Sequence, residues 1–352
     1  MARGEVAIDL FGLTRWLSEL SNARVDPRAL RIARPTGGGW SNDTFFVDTA
    51  LPQPARVVVR LAPDGPSMFP TYNLSRQVTV MQEVSRAGRV RVPNVLGVDL
   101  GGDRLGRPAF VMSFVGGRVP VDDRPSFAEA GFLFDAVAED QRVFHLGLID
   151  AIANVHASLT PVLVESLKPL NQATLGHALA ELSRTWQFDR GDHWSNVVDE
   201  SLGALAGRLP PPTIDVLVWG DARPANVIVP EKDFVPVALL DWELATVGPP
   251  ELDITWLAEM NRMRMQGSGV APLPGFLSDD EAVDHYQKHS GRVLNDLPWH
   301  RLLSATRIAV LMHRHLRVMV HLGRLPATHR LLSRTIATDR VAQLMGFEGA
   351  TS

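Results

Sequence analysis

The sequence predicts a two-lobed α+β protein, with a small β-rich lobe followed by a larger α-rich lobe. Runs of β-branched and aromatic residues mark the first third of the chain, as at 44–48 and 55–61. Apolar residues recur at helical spacing through most of the remainder. Residues 115–120 (VGGRVP) have the glycine and proline content of a linker. We therefore expect three parts: an N-terminal helical extension (1–28), a β-rich lobe (29–116) and an α-rich lobe (117–352).

Length and composition limit the classes of function. The chain has 352 residues, of which 45% are hydrophobic, so it can bury a large core. The absence of cysteine excludes disulfides, thiolate nucleophiles and iron–sulfur clusters. A net charge of -4 gives no basic surplus for nucleic acid, and no apolar run approaches a membrane span. We expect a soluble cytoplasmic protein without nucleic-acid or membrane partners; the oligomeric state stays open.

The individual elements follow from local patterns. An amphipathic helix is predicted at the N-terminus, with leucines on one face: Leu10, Leu13, Leu17 and Leu20. A helix near 73–86 separates the first two strands from two more, at 91–100 and 107–115. The α-rich lobe is predicted to contain helices at 148–159, at 173–208 with a break near 189–194, and from 251 onwards, clearest at 302–322, with two short strands within 217–243.

The stretch 217–243 (LVWGDARPANVIVPEKDFVPVALLDWE) places Asp221, Asn226 and Asp241 at the ends of strand-like runs. Carboxylate and amide oxygens are ligands that Mg²⁺ prefers. Any one of the three would suit a turn, where Asp and Asn are favoured. Together, however, they have the spacing used in kinase-type phosphoryl transfer: an Asp, four residues, an Asn, and an Asp after an apolar strand.

This segment resembles the HGDxxxxN…IDWE core of the aminoglycoside phosphotransferase-like (APH/choline kinase-like) family, a branch of the protein-kinase-like fold. The resemblance extends over about residues 30–325. It implies a bilobal enzyme that transfers the terminal phosphoryl group of ATP or GTP, with Mg²⁺, to a hydroxyl of a small molecule. Some family members are fused or linked to acyl-CoA dehydrogenases. The β-rich lobe would then bind nucleotide, and the α-rich lobe would hold the catalytic and acceptor sites.

The resemblance also implies roles for the catalytic residues. Asp221 would orient the acceptor hydroxyl, and Asn226 and Asp241 would coordinate Mg²⁺. Arg223 would contact the transferred phosphoryl group or brace neighbouring acids. Glu243 would face the side of Asp241 if the strand continued, near a second metal or the acceptor; a solvated acid at a strand end is the alternative.

Two further residues are interpreted as structural support. Trp219 stands where the family has a His that braces the catalytic loop, so an aromatic residue would pack there instead. Asp253, in PPELDITWL, matches a family element and is expected to hold the catalytic loop by hydrogen bonds.

The nucleotide side is predicted from the β-rich lobe. Arg60 stands where kinase-like folds carry a phosphate-binding Lys, and Arg keeps the charge. Gln77 stands where a Glu partner is expected, and it can hydrogen-bond Arg60 but not neutralise it. A glycine-rich loop would cover the phosphates, with Gly37, Gly38, Gly39, Ser41 and Asn42. The segment that links the lobes would contact the nucleotide base through its backbone, at Ser113, Phe114 and Val115.

The acceptor side does not have the dense acid that a polycation would require. Arg262 and Arg264 suit an anionic or neutral acceptor, so we do not expect an aminoglycoside as native substrate. The departures at Gln77 and Trp219 motivate an alternative function, a nucleotide-binding regulatory module without catalysis. An unrelated Mg²⁺ hydrolase is a third hypothesis, and it would need no nucleotide for stabilisation.

Overall fold

The computed structural model describes residues 8–35, 43–64, 73–171, 175–190 and 195–347. The β-rich lobe is built on one antiparallel sheet of five strands in the order β1-β2-β3-β5-β4. These strands and the two helices of the lobe are α1 (Leu10–Ser21), β1 (Arg31–Ala33), β2 (Asp43–Asp48), β3 (Arg56–Leu61), α2 (Leu74–Ala87), β4 (Val95–Asp99) and β5 (Ala109–Ser113).

Strand β3 shows why both faces of this sheet are apolar. Successive side chains of a strand point to opposite faces. Val57 and Val59 share a core with Leu13 and Trp16 of α1. Val58 belongs to a second core, which includes residues of α2 and of the α-rich lobe. The N-terminal helix therefore packs directly on the sheet.

The α-rich lobe contains eight α-helices in the described residues. Together with the five-stranded sheet of the smaller lobe, these helices confirm the predicted α+β class. The predicted break near 189–194 separates the third and fourth of them. They are α3 (Ala138–His156), α4 (Pro161–Asn171), α5 (Leu175–Asp189), α6 (Asn196–Gly207), α7 (Glu251–Ser268), α8 (Asp279–Ser290), α9 (Leu297–His321) and α10 (Ile336–Leu344).

The prediction of two strands within 217–243 was wrong in number, because three described strands lie in or at the edge of that stretch and a fourth follows it. β6 (Val216–Val218) pairs antiparallel with β9 (Thr246–Gly248). β7 (Val227–Ile228) pairs antiparallel with β8 (Ala238–Leu239). Strands of two or three residues are too short to show an alternating pattern. The polar residues of the motif occupy the turns next to these short strands.

The predicted linker is held firmly against the α-rich lobe. The backbone N–H of Arg118 donates to the Val229 carbonyl at 2.8 Å, and Val229 N–H donates back at 2.9 Å. The Arg118 guanidinium donates to the carbonyl oxygens of Pro230 and Asp233 at 3.2 and 3.1 Å. A side chain at Gly117, where φ is +142°, would approach the Val229 oxygen to 2.4 Å. The backbone here therefore requires glycine, and the segment bridges the lobes.

A buried ion pair joins two helices of the α-rich lobe. Arg340 of α10 donates through Nε and Nη2 to the two carboxylate oxygens of Glu259 on α7, at 2.7 and 2.9 Å. Both residues are buried. Such a two-point contact satisfies charges that would be costly if either partner were removed.

Within the described residues, no single helix has both the length and the apolar composition to cross a membrane. Segments Ala138–His156 and Pro161–Leu167 meet the criterion only when taken together, and they are bent by 88° relative to each other.

Candidate active site

The backbone before Asp221 is fixed by one buried carboxylate. Asp253, near the start of α7, accepts hydrogen bonds from the backbone N–H of Trp219 at 2.7 Å and of Gly220 at 2.8 Å. Gly220 has φ of +87°, and a Cβ there would lie 2.1 Å from the Leu244 oxygen. Only glycine fits this turn. The chain therefore leaves β6 sharply and presents Asp221 at the edge of the lobe.

Asp253 is itself held by a histidine and a tyrosine that the sequence did not connect with it. His156 Nε2 lies 3.0 Å from Asp253 Oδ2, and His156 Nδ1 lies 2.7 Å from the Tyr286 hydroxyl. All three side chains are buried, and burial raises the pKa of Tyr286 above its usual value. No local pattern signals this contact, because its members lie on α3, α7 and α8.

Trp219 occupies the interior beside this loop. Its indole is fully buried, Nε1 donates to the Leu240 carbonyl at 2.9 Å, and the ring packs against Trp242 with centroids 5.9 Å apart. These contacts support an aromatic residue at this position through packing.

Three donors hold the Asp221 carboxylate. Arg223 Nε and Asn226 Nδ2 donate to Oδ2 at 2.9 and 2.8 Å, and Trp256 Nε1 donates to Oδ1 at 3.1 Å. The Arg307 guanidinium lies over the Trp256 ring, 4.7 Å from its centroid. The sequence did not single out Trp256 or Arg307. Asp221 is thus oriented, with a fixed direction for its oxygens.

Arg223 lies between acids. It contacts Asp221 and also Asp122, which in turn pairs with Arg264 at 2.9 Å. Burial acts to lower the pKa of Arg223, but Asp221, Asp122 and Asp241 outweigh it and raise that pKa above its usual value. This geometry supports the bracing interpretation of Arg223, while contact with a phosphoryl group stays a prediction.

Asn226 and Asp241 lie on the same end of the β7–β8 hairpin. The Leu240 N–H donates to the Asn226 carbonyl at 2.8 Å, which sets Asn226 opposite the residue preceding Asp241. Asn226 donates through Nδ2 to both the backbone and the side chain of Asp221. Its Oδ1 receives no hydrogen bond from the described residues and stays available to a cation. Asp241 has φ of +59°, so the backbone bends at this carboxylate.

Arg60 reaches Asp241 from the other lobe. Its Nη1 and Nη2 lie 3.4 and 3.3 Å from Asp241 Oδ1, although the two residues are 181 positions apart. Arg60 is on β3, opposite Phe110 of β5. The structure therefore brings the predicted phosphate ligand and a predicted metal ligand to one point between the lobes.

Gln77 does not contact Arg60 by a hydrogen bond. The side chain is buried on α2, and neither Nε2 nor Oε1 has a partner among the described residues. Glu83, on the same helix, accepts from Thr160 at 3.0 Å and pairs with Arg86. No carboxylate of α2 therefore takes the place of the missing Glu in the described residues.

The remaining predicted residues have different outcomes. Glu243 was expected to face the same side as Asp241 if the strand continued that far. That condition was wrong, because the strand ends at Leu239 and Glu243 lies in a turn. Ser113 is bonded to Asn94 through its backbone N–H and its hydroxyl, at 2.8 and 2.9 Å. Phe114 packs edge-on against another ring and Val115 is buried. The predicted phosphate loop lies outside the described residues, namely Gly37, Gly38, Gly39, Ser41 and Asn42.

The two arginines considered for an acceptor are both engaged by acids of the protein. Arg262 pairs with Asp279 at 2.6 Å, and Arg264 pairs with Asp122 at 2.9 Å. Met263 and Met265, which alternate with these arginines on α7, are buried in the main core. These side chains hold α7 in place.

Comparison with known proteins shows the family of the chain. The model of the phosphotransferase enzyme family matches residues 32–292, about three quarters of the chain, so the chain belongs to that family. It is 28% identical over 224 residues to acyl-CoA dehydrogenase family member 10 of Mus musculus, covering 62% of this chain. It is 27% identical over 240 residues to member 11 of Gallus gallus, covering 66%. The chain spans only 19% and 28% of the length of these relatives.

Solved structures of low sequence identity share the protein-kinase-like fold. A candidate aminoglycoside phosphotransferase from Ralstonia eutropha has a TM-score of 0.69 at 19% identity, covering 98% of both chains. Spectinomycin phosphotransferase, solved with ADP and spectinomycin, has a TM-score of 0.57 at 11% identity, covering 96% of this chain and 94% of its own. Ethanolamine kinase of Plasmodium vivax has 0.57 at 13%, covering 90% and 82%.

Proposed function

We propose that this protein transfers the terminal phosphoryl group of ATP or GTP, with Mg²⁺, to a hydroxyl group of a small molecule. One observation carries this proposal: Asp221, Asn226, Asp241 and Arg60 converge from two lobes. Membership of the phosphotransferase family supports the general reaction. The solved relatives that contain ADP or GDP support a nucleotide donor.

The residues present fit a magnesium ion. Asn226 offers an amide oxygen and Asp241 a carboxylate at the end of one hairpin, and hard oxygen ligands of this kind suit Mg²⁺. When bound, Mg²⁺ supplies positive charge to the phosphates. Arg60 would contact phosphate oxygens from the β-rich lobe, where its guanidinium provides several donors.

Asp221 would accept the hydrogen bond of the acceptor hydroxyl and direct its oxygen at the phosphorus. The new bond joins that oxygen to phosphorus while Asp221 takes the hydroxyl proton. The bond from phosphorus to the bridging oxygen breaks, and the nucleoside diphosphate leaves. Such transfers depend mainly on positioning and on charge stabilisation. The three donors that hold Asp221 provide the positioning. In this proposal residues 29–116 bind nucleotide, residues 117–352 carry the acceptor, and residues 1–28 extend the first lobe.

The acceptor is proposed to be other than a polycation. Arg223 and Arg307 lie near Asp221. The neighbouring acids Asp122 and Asp241 are each paired with an arginine of the protein. We propose a neutral or anionic hydroxylated compound rather than an aminoglycoside.

Turnover of a panel of hydroxylated compounds tests the proposal, with phosphorylated product detected by ³¹P NMR. Asp221→Asn should lower kcat by about 10²–10⁴-fold, because the variant cannot accept the hydroxyl proton, and should leave the Kd for nucleotide nearly unchanged. Asp215→Asn, a carboxylate shortly before β6, is the matched control and should retain activity. Equal turnover by Asp221→Asn and wild type would refute the assignment.

A nucleotide-binding module without catalysis is the second candidate, favoured by Gln77, which is buried in place of the expected Glu without a partner in the described residues. Under this alternative Mg-ATP or Mg-GTP raises Tm, while no acceptor in the panel is phosphorylated. A Tm that does not respond to either nucleotide contradicts both functions and favours a hydrolase.

A further inference from the structure

A cluster of metal-binding side chains lies between two helices outside the candidate active site. His285 Nε2 lies 2.7 Å from Asp150 Oδ1, and His289 Nδ1 lies 2.8 Å from the same oxygen. Asp150 is on α3, and both histidines are on α8. The three ligand atoms all lie within 4.8 Å of one another, and His289 is exposed while the other two are partly buried. Two nitrogens and one oxygen thus meet at an accessible point.

The spacing on α8 explains why the histidines face the same way. Residues at i and i+4 are neighbours on a helix surface. The first turn of α8 is fixed by a capping box between Ser278 and Glu281, and its end is fixed by Gly291 in the left-handed conformation. The cluster therefore lies on a helix whose two ends are both well defined.

A second, buried contact also joins α8 to α3. Tyr286, next to His285, bonds to His156 of α3, and both are buried. Asp150 and His156 lie six residues apart on α3, about 9 Å along its axis. The buried contact therefore fixes the position of α8 relative to α3. Asp150, His285 and His289 all lie on these two helices, so their positions do not depend on a loop.

We propose that Asp150, His285 and His289 form a Zn²⁺ site that links α3 to α8. Imidazole nitrogens with one carboxylate suit zinc, whereas Mg²⁺ and Ca²⁺ prefer oxygen ligands. Ligands at the usual distances of about 2.0–2.2 Å from a tetrahedral zinc lie about 3.4 Å apart. The observed 2.7 and 2.8 Å contacts therefore need to open by about 0.6 Å, a small rotation of accessible side chains. Water completes the coordination.

The site is separate from the nucleotide cleft, but it lies beside the contact that anchors the catalytic loop. Zinc bound here would hold together the same two helices that His156 and Tyr286 join, and His156 contacts Asp253. Because the ion binds the folded chain through three residues from two helices, it stabilises the folded state.

Calorimetric titration of Zn²⁺ into the full chain, free of affinity tags and with Mg²⁺ in excess, tests the proposal. We expect one equivalent to bind with about micromolar or lower Kd and to raise Tm by about 3 °C or more. His289→Ala should weaken binding at least about tenfold, because one of three ligands is lost. His177→Ala is the matched control: His177 lies on α5, 3.7 Å from the Glu181 carboxylate, and is not one of the three clustered residues.

A measurement on the unaltered chain keeps the test independent of how the variants fold. Co²⁺ added to wild type should give the visible absorption bands of a low-coordinate site with nitrogen ligands, and Zn²⁺ should abolish them. If wild type binds neither ion in the micromolar range, or if His285→Ala combined with His289→Ala binds Zn²⁺ as wild type does, the proposal is wrong, and the three residues form only an interhelical hydrogen-bond network.

Discussion

The two sides of the candidate cleft differ in how their polar groups are satisfied. On the α-rich side, Asp221 receives three hydrogen bonds and Asp253 receives two from the backbone and a contact from His156. On the β-rich side, Gln77 is buried with both polar atoms unpartnered in the described residues. The first arrangement is complete within the protein, and the second is not.

This difference indicates which side of the cleft is held in place by the protein's own hydrogen bonds. Buried polar groups are normally hydrogen-bonded, and a fully connected network fixes geometry. The loop that carries Asp221 is therefore oriented by contacts within the protein itself. A buried polar side chain without a partner costs stability, so its retention points to a purpose other than folding. We expect the removal of polar atoms to lower the free energy of unfolding on the α-rich side and to raise it at Gln77.

The largest effect is expected from Asp253→Ala. The substitution leaves two buried backbone N–H groups and His156 without their acceptor, so the free energy of unfolding should fall by about 3–5 kcal/mol. Urea denaturation followed by circular dichroism measures the change. Asp284→Ala, which removes an exposed carboxylate of α8, should change stability by less than about 0.5 kcal/mol. Comparable stability of the two variants would show that the loop has other anchors.

His145 is one of several buried side chains of the α-rich lobe that have an unpartnered polar atom in the described residues, and it predicts a pH dependence. Its Nδ1 accepts from the Leu277 N–H at 2.9 Å, and its Nε2 is buried without a partner in the described residues. Burial lowers the pKa of His145 to about 4 from an ordinary 6.5. The unfolded chain therefore binds a proton between these values while the folded chain does not. The contribution of His145 to the free energy of unfolding is fully present above pH 6.5 and should fall by about 3 kcal/mol as the pH decreases to about 4.

His145→Gln isolates this contribution, because it removes the titrating group and keeps a polar side chain. Unfolding free energies of wild type and variant, measured from pH 7 down to about pH 4, should converge as the pH falls. A constant difference over that range would show that His145 does not titrate differently on folding.

The smallest effect is expected from Gln77→Met, and it has the opposite sign. Met has nearly the same volume and no strong hydrogen-bonding groups to satisfy, so the free energy of unfolding should rise by about 1–2 kcal/mol. The control is Gln141→Met. Gln141 is equally buried, but it donates to the Leu133 carbonyl and accepts from the Gly275 N–H, so its loss should destabilise. If Gln77→Met and Gln141→Met both lower the free energy of unfolding, Gln77 is not an unsatisfied polar group and the proposed difference between the two sides is wrong.

The sequence identified the parts of this site that are local in the chain. Asp221, Asn226 and Asp241 lie within 21 positions, and their spacing alone indicated phosphoryl transfer. The lobes were also predictable, because long helices and five-residue strands carry clear periodicity. The four strands near the motif were not, because two or three residues show no period. The turn at Glu243 was missed for the same reason.

The supports of the site could not be predicted, because they come from distant elements. His156 is 97 positions from Asp253 and 130 from Tyr286, and Asp122 is 101 from Arg223. Each of these residues has an ordinary local interpretation as a core or surface residue. Their roles depend on how α3, α7 and α8 pack, which no single segment encodes.

The buried pair of Glu259 and Arg340 has a consequence for protein engineering. The cation comes from α10, far along the chain from α7, so the last helix is not a dispensable tail. A fragment that ends after α8 would leave the Glu259 carboxylate in the core without its countercharge. A chimera that joins a foreign sequence before Ile336 therefore has to supply a cation at the position of Arg340, or replace Glu259 with a neutral residue of similar shape.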